Sequence, residues 1–309
     1  MSELSDIRYA LPDVKRALVF SPHPDDETIG CGGTMALYAD RIDFTVVTLS
    51  KGEAINIPEE NKGDLRKKEL VKAMQVVGVK DIIFLDMPDG KFEENSDEIG
   101  KNISEICRRK DPEIIFVPSP LDPHPDHRQT AKAVIEYTQS SPSLRIAFYE
   151  VYTPIRFNTL IDIGRKLETK REALSQYHYS MLKKKDIFIS AILSLNRFRS
   201  LFTLEESCYE AFFIADKPPT LGGLSRWMAF NSRPESPEEE LLDTLRMGDA
   251  LLKELRDCER NASFLQERTL AMQKSIDEKS LLLSSLEKKM TSLEKNLFWK
   301  IAKYLYKNR

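Results

Sequence analysis

The chain has 309 residues, which at ~150 residues per domain predicts about two structural units. Hydrophobic residues make up 41% of the sequence and charged residues 31%, with 12 Gly and 16 Pro, which excludes a collagen-like or wholly disordered chain. The 46 basic and 49 acidic side chains give a formal net charge of −3, so no global basic field favours binding of nucleic acid.

The start of the chain and its cysteines indicate the compartment. Residues 1–15 carry acidic side chains ahead of any apolar run, unlike the cationic and then apolar order of a secretory signal. The longest apolar stretch, around residues 187–195, is well short of the ~20 residues of a membrane-spanning helix. The four cysteines are widely spaced and form no CxxC pair, so we expect neither a disulfide framework nor a thiolate metal site. These features favour a cytoplasmic protein.

Strand and helix patterns alternate from residue 17 to about 150. Short apolar runs rich in branched residues predict buried strands at 17–20, 44–49, 81–85, 113–117 and 145–149. Segments with helical period lie between them at 33–39, 64–77, 96–110 and 128–138. The domain continues with helices at about 166–177 and 188–198 and a strand at 209–214. The pattern predicts an α/β fold with a Rossmann-like doubly wound, mostly parallel sheet.

The sequence after the last predicted strand changes character. Gly- and Pro-containing segments at 217–223 and 232–237 interrupt regular structure, so we expect a globular domain over 1–230 and a linker and helix start over 231–247. One heptad register then runs through 248–297, and only Thr269 and Lys279 among its fourteen a and d positions are polar. The narrow apolar stripe predicts a coiled coil that joins copies of the chain into a homo-oligomer. A single amphipathic helix lying on its own domain is the alternative.

Three of the four histidines lie in two short loops that follow predicted strands. His23 belongs to Ser21-Pro-His-Pro-Asp-Asp-Glu27, and His124 and His127 belong to Pro123-His-Pro-Asp-His127. Asp, Pro and His are also common turn formers, so one loop alone would be ambiguous. Because both loops follow parallel strands, we expect them at the same edge of the sheet. Imidazole and carboxylate donors suit Zn²⁺, and catalytic zinc sites use three protein ligands and an exchangeable water, so the sequence predicts metal-assisted hydrolysis.

These loops resemble the signatures of the LmbE-like or PIG-L family of metal-dependent de-N-acetylases, a His-Pro-Asp-Asp-Glu loop and a later His-x-Asp-His loop. The resemblance extends from about Leu18 to Phe213 and includes Gly30-Cys-Gly-Gly-Thr34, Arg66-x-x-Glu69, Asp89-Gly90 and Glu210-Ala-Phe212. One departure concerns the Ser-Gln pair that often follows the family's Lys-x-x-Ala-Leu helix. Tyr179-Ser180 stands there in this chain, which affects the expected contacts to the substrate acceptor and not the metal.

The resemblance implies a division of roles around the metal. It implies that His23, Asp26 and His127 bind Zn²⁺ or another divalent metal such as Fe²⁺, and that Asp25 is the general base. A metal lowers the pKa of a bound water towards roughly 7, and an adjacent carboxylate can take the proton of that water as it attacks an amide.

Four further residues have implied roles at the substrate. His124 would stabilise the oxyanion or protonate the leaving amine, and Asp126 would orient His124. Arg66 and Asp89 are candidates to bind sugar hydroxyls, with a surface salt bridge and a turn as the respective alternatives. The implied activity is that of a zinc-dependent N-deacetylase that removes acetate from an N-acetylated amino sugar.

The sequence of residues 298–309 predicts where in the cell the protein acts. This segment interleaves lysines with aromatic residues and has no acidic side chain, which predicts a peripheral contact at the inner face of the membrane. Similar tails after coiled coils occur in proteins of bacterial surface-polysaccharide assembly. A helix end capped by basic residues is the alternative. Two other functions are open: hydrolysis of a soluble N-acyl thiol-cofactor precursor, and a non-catalytic coiled-coil scaffold for glycan enzymes.

Overall fold

A computed structural model describes residues 7–55, 59–141, 143–181, 185–217 and 219, and towards the C-terminus residues 268–269, 272–293, 295, 300–301 and 303. The chain divides into two compact units, residues 1–232 and 233–309. The expected linker at 231–247 lies outside the described residues, as do most of residues 298–309.

The first unit is built on one seven-stranded sheet with the order β3-β2-β1-β4-β5-β7-β6. Its strands are β1 Arg16–Ser21, β2 Asp43–Ser50, β3 Asp81–Met87, β4 Ile114–Pro118, β5 Arg145–Tyr149, β6 Thr159–Asp162 and β7 Tyr209–Ala215. Neighbours among β1 to β5 pair in parallel, whereas β7 is antiparallel to both β5 and β6. The predicted α/β fold with a mostly parallel sheet is confirmed, and β6 is a strand that the sequence patterns did not predict.

Helices cover both faces of this sheet. They are α1 Asp26–Tyr38, α2 Lys62–Val77, α3 Ser96–Lys110, α4 Pro125–Thr138, α5 Leu167–Leu174, α6 His178–Met181 and α7 Lys185–Phe198, with two short 3-10 turns at Gly164–Lys166 and Arg199–Phe202. One buried apolar cluster joins the sheet to α1, α2, α5 and α7, and a second joins it to α3 and α4. Val19 belongs to the first cluster and its neighbour Phe20 to the second. The central strands are therefore buried on both faces, which explains their nearly continuous apolar sequences.

The strand order places a crevice between β1 and β4. These strands are neighbours, with Ala17 paired to Ile114, but α1 leads from β1 to β2 on one side and α4 leads from β4 to β5 on the other. Ligands of doubly wound sheets bind at such a switch point, beyond the carboxyl ends of the strands. The two histidine loops follow β1 and β4, so the fold brings them to this crevice.

The described part of the second unit is helical over residues 272–293, which we call α8. Its predicted a and d positions carry exposed apolar side chains: Met272, Ile276, Leu283, Leu286, Met290 and Leu293. The predicted heptads before residue 268 lie outside the described residues, and the coiled coil stays a prediction. Across the described part of the chain, no helix combines the length and apolarity needed to span a bilayer.

Candidate active site

The loop between β1 and α1 holds Asp25 in a backbone conformation that is rare for residues other than glycine. Its φ is 132° and its ψ is −29°. Such conformations cost of order 1–3 kcal/mol and cluster at functional sites. The Asp25 N–H donates to Glu27 Oε2 at 3.2 Å, and the Asp25 carbonyl accepts from Thr28 and Ile29, so the first turn of α1 holds the strained residue. The helix begins at Asp26, seven residues before the predicted start.

Three donor atoms from the two loops form a nearly equilateral triangle. His23 Nδ1 lies 3.2 Å from Asp26 Oδ2 and 3.3 Å from His127 Nε2, and the latter two atoms are 3.2 Å apart. All three side chains are buried. A tetrahedral Zn²⁺ with Zn–N distances of about 2.0–2.1 Å separates neighbouring ligand atoms by about 3.3 Å. The residues present therefore fit a single divalent ion.

The far side of each imidazole faces a carboxylate. His23 Nε2 lies 3.0 Å from Asp89 Oδ1 and 3.3 Å from Asp126 Oδ2, while His127 Nδ1 lies 3.1 Å from Asp122 Oδ1. Carboxylates in this position keep the proton on the far nitrogen and leave the near nitrogen as a metal ligand. Within the described residues, Oδ1 of the fully buried Asp26 has no hydrogen-bond partner. This arrangement is typical of a cation site.

Two other groups of donor atoms lie within 4.8 Å of one another: His23 with His124 and His127, and His23 with Asp89 and Asp126. The first group has His124 in the place of Asp26. The second group uses the carboxylates that face His23 Nε2, on the far side of that ring from the triangle. The triangle is the set whose residues match the ligands that the family resemblance implies.

The charges of the triangle depend on one another. Burial lowers the pKa of His127, but the carboxylates of Asp26 and Asp122 outweigh it and raise the pKa to about 9. Burial likewise lowers the pKa of His23, yet hydrogen bonds to Asp126, Asp26 and Asp89 raise it well above its usual value. Burial raises the pKa of Asp26, but the two histidines hold it far below its ordinary range. Without a metal the site therefore keeps protons at neutral pH, which a cation must displace.

Asp25 lies beside the triangle with a carboxylate suited to proton transfer. Burial raises its pKa, Arg66 partly offsets this, and the negative charges of Asp26 and Glu27 raise it again, to about 7. The Asp25 Oδ2 atom lies 3.3 Å from Arg66 Nη2. General bases are most effective when their pKa is near the working pH, so this carboxylate matches the implied role.

Arg66 is buried in the wall of the site. Its Nη1 donates to Gly52 O and its Nη2 to Pro24 O, both at 2.8 Å, and its Nε donates to Ser180 Oγ at 2.9 Å. Gly52, at φ 65°, allows the guanidinium to approach the backbone closely. The structure thus places Arg66 as a clamp on the Asp25 loop, and a role in binding sugar stays a prediction. The clamp includes Ser180, from the segment where the chain departs from the family pattern.

His124 and Asp126 lie at the start of α4. The half-buried His124 is the N-cap, and its Nδ1 accepts the Asp126 N–H at 3.3 Å, so the neutral ring carries its proton on Nε2. Burial, together with the positive charges of His23 and His127, lowers the pKa of His124. A neutral Nε2–H is a suitable donor to an oxyanion.

The contacts of the Asp126 carboxylate differ from the expectation that it orients His124. Its oxygens accept from the Gly90 N–H at 2.7 Å and the Phe92 N–H at 3.3 Å, and its Oδ2 also faces His23. Asp126 orients His23 through its side chain and touches His124 only through its backbone. The reason is the loop after β3, whose N–H groups attract the carboxylate. Asp89, from the same loop, lies against His23 and the Ala54 N–H, at 2.9 Å from the latter.

Sequence reasoning missed several residues of the site. The Tyr152 ring is stacked on the His127 ring, with 5.4 Å between ring centroids and an interplanar angle of 15°. The backbone N–H of Tyr152 donates to Asp122 Oδ2 at 3.1 Å. Glu27 lies below Asp25 and accepts from Ser21 Oγ at 2.8 Å and from Tyr177. Glu27 belongs to the first histidine loop, Asp122 directly precedes the second, and Tyr152 follows β5 at the same sheet edge. Their positions in the sequence, next to the histidine loops or after a parallel strand, were the signal that could have identified them.

A buried ion pair forms hydrogen bonds with the backbone of α1. The Lys170 ammonium donates to Glu210 Oε1 and to the Ile29 carbonyl, each at 2.7 Å. The two Glu210 oxygens in turn accept the N–H groups of Gly33 and Thr34, in the middle of α1, at 2.8 and 2.7 Å. Lys170 and Glu210 are both essentially inaccessible to solvent. The helix that carries Asp26 is therefore held by residues from α5 and β7.

Comparisons with known proteins identify the family of this chain. The sequence model of the family described as PIG-L, GlcNAc-PI de-N-acetylase, matches residues 18–138. Diacetylchitobiose deacetylase of Thermococcus kodakarensis is 30% identical over 187 residues, which cover 52% of this chain and 68% of that protein. The chain belongs to the PIG-L family. All eight residues assigned to the site from the sequence lie within the matched segment.

Other relatives extend the picture of the PIG-L family. A probable N-acetyl-alpha-D-glucosaminyl L-malate deacetylase 2 of Bacillus anthracis is 32% identical over 149 residues, covering 44% of this chain and 66% of that protein. The solved N,N'-diacetylchitobiose deacetylase from Pyrococcus horikoshii has a TM-score of 0.60 at 24% identity, covering 70% of this chain and 86% of that chain. That likeness shows a shared fold. The PIG-L deacetylases are metal dependent, and this chain has a cluster of His and Asp residues that fits a metal.

Proposed function

We propose that this PIG-L family member is a zinc-dependent hydrolase that removes the N-acetyl group of an N-acetylated amino sugar and releases acetate and a free amine. The observation that carries the proposal is the triangle of His23, Asp26 and His127, with Asp25 and His124 beside it. The names of the relatives, deacetylases of diacetylchitobiose and of N-acetylglucosaminyl malate, support the substrate class.

The side chains divide the chemistry among them. A bound divalent ion supplies Lewis acidity, which polarises the amide carbonyl and makes a water more acidic. Asp25 takes a proton from the attacking water and passes it to the leaving nitrogen, so that the amine departs neutral. His124 donates from Nε2 to the oxygen that becomes negative as the carbonyl carbon turns tetrahedral. Asp89 and Asp126 hold His23 in the orientation that this geometry needs.

We further propose a role in bacterial surface-polysaccharide synthesis, in the cytoplasm and at the inner face of the membrane. The exposed apolar positions of α8 support a homo-oligomer formed through 248–297, and the basic aromatic sequence of 298–309 supports the membrane contact. The buried free cysteines Cys31, Cys107 and Cys208 are compatible with a reducing compartment. A soluble N-acyl thiol-cofactor precursor is the alternative substrate.

Acetate release tests the proposal. The purified protein, with its metal content measured, is incubated with diacetylchitobiose, N-acetylglucosaminyl malate and a lipid-linked N-acetylglucosamine. Asp25→Asn should retain the metal and lose about 10²- to 10⁴-fold in kcat, because an amide cannot accept the proton. His178→Ala is the matched control, since that histidine is exposed and outside the site. A metal-loaded protein that releases acetate from none of these conjugates would support the non-catalytic scaffold instead.

A further inference from the structure

A cavity of about 430 Å³ lies between α7, the first turns of α1 and the segment after β5. Pockets for small ligands are typically ~300–1,000 Å³, so it is large enough for part of a substrate. Its walls are mainly apolar and include Val151, Pro154, Ile187, Phe188, Ile192 and Leu195. The site described above does not use this space.

The cavity adjoins the metal centre. Tyr152 lines it and is also the residue whose ring is stacked on His127. Ile29 and Gly30, one turn after Asp26, form another part of the wall. The triangle and the cavity are therefore both next to Tyr152 and the start of α1.

Two observations indicate a ligand site. The Asn196 side chain lines the cavity at 4% exposure, and its Nδ2 donates to Tyr209 O at 3.1 Å. Its Oδ1 has no hydrogen-bond partner among the described residues. At the rim, Ile187 is 69% exposed and Phe188 is 38% exposed, although both are apolar. Buried acceptors are normally paired, and neighbouring apolar side chains that are exposed beside a cavity favour an interaction site more than a single exposed one does.

The charges of the cavity select a neutral occupant. Its two acidic residues are already paired, Glu150 with Arg199 and Glu210 with Lys170. None of the residues that line the cavity within the described chain is basic. An anionic group such as a carboxylate or phosphate would find no counter-ion there, whereas an alkyl chain would gain from burial.

We propose that this cavity binds a neutral apolar aglycone of the glycoside, an alkyl chain attached at the reducing end of the N-acetylated sugar. The inference rests on the proposed deacetylase function for the position of the sugar. The acetyl group that the reaction removes is far smaller than the cavity, so the aglycone is the part of the substrate that needs this volume. The chain would leave the cavity over Ile187 and Phe188.

Kinetics with matched glycosides test the assignment. We expect kcat/KM for octyl 2-acetamido-2-deoxyglucoside to exceed that for the methyl glycoside at least tenfold, mainly through KM. In Ala191→Phe, where a ring enters the cavity from an exposed position of α7, the ratio should fall to near one. Ser194→Phe adds the same ring to α7 at an exposed position away from the cavity and should keep the ratio. A preference that follows an N-octanoyl chain on the methyl glycoside would overturn the aglycone assignment.

A direct binding measurement tests the cavity independently of the deacetylase activity. Octyl glucoside, which has no amide, is titrated calorimetrically below its micelle-forming concentration into the full-length protein. We expect binding to the wild type and to Ser194→Phe, and at least tenfold weaker binding to Ala191→Phe. Binding with this dependence supports the cavity even if no substrate is deacetylated, in which case only the proposed function fails. Absence of binding to the wild type, or equal binding to all three proteins, overturns the proposal.

Discussion

Replacing Lys170 by Met should destabilise the globular unit by removing the cation from the buried pair behind α1. The substitution keeps most of the side-chain volume, but it leaves the Glu210 carboxylate buried without its ion-pair partner and the Ile29 carbonyl without its donor. Breaking one partner of a buried pair typically costs about 3–5 kcal/mol in the free energy of unfolding. Glu210 keeps the N–H groups of Gly33 and Thr34, which limits the loss to the lower part of that range.

The assay is urea unfolding followed by near-ultraviolet circular dichroism, which reports the buried tyrosines Tyr149, Tyr177 and Tyr209 of the globular unit. Lys101→Met is the matched control, because Lys101 is exposed on α3, and its free energy of unfolding should change by less than about 0.5 kcal/mol. A loss below about 1 kcal/mol for Lys170→Met would refute the view that the ammonium neutralises Glu210.

Three further predictions concern the metal and the C-terminal unit. His127→Ala should lose bound metal and activity together, as measured by elemental analysis and acetate release, and a variant that keeps a full complement of metal would contradict the ligand assignment. Apparent metal affinity should rise with pH up to about 9, by about tenfold per pH unit for each displaced proton, because the raised pKa of His127 keeps its ring protonated below that pH. Calorimetry in buffers of different ionisation enthalpy counts the protons that are released on metal binding. A release of zero protons would show that the His127 ring is already neutral before the metal binds. The full-length chain should be an oligomer that sediments with anionic vesicles, whereas a chain ending near Pro237 should be monomeric and active on small substrates. Light scattering measures the oligomeric state, and a monomeric full-length chain would exclude the coiled coil.

The parts of the fold that could be predicted are those where local sequence and tertiary environment agree. The strands β1, β2, β4 and β5 are buried on both faces, so their apolar runs were visible without a structure. The edge strand β3 is half-buried and still carries an apolar run. The strand β6 Thr159–Asp162 was missed because it is only four residues long and lies at the sheet edge. The early start of α1 was missed because its glycines lower helix propensity. The structure shows that a side chain at Gly30 would collide with the ring of Tyr149, and no local pattern reveals that contact.

In the candidate site, too, short local motifs could be predicted from the sequence, whereas contacts between distant segments could not. The histidine loops were visible because the metal ligands and the general base come from two short motifs. The contacts that orient them come from other segments: Gly90 and Phe92 after β3 hold Asp126, and Ser180 in α6 holds Arg66. Those contacts depend on how distant segments meet, so the expected partner of Asp126 was wrong, and the roles of Glu27 and Tyr152 were not foreseen.

The support of α1 by β7 has a consequence for the order of folding. The segment with His23 and Asp26 contains the first helix of the described fold, but the carboxylate that binds the middle of α1 belongs to Glu210 in the last strand. The first helix therefore waits for the last strand before its backbone is fully bonded. This contact joins residues that are 176 positions apart in the sequence, so a long loop must close before it can form. We therefore expect the loop that carries His23 and Asp26 to reach its final geometry late in folding, together with β7.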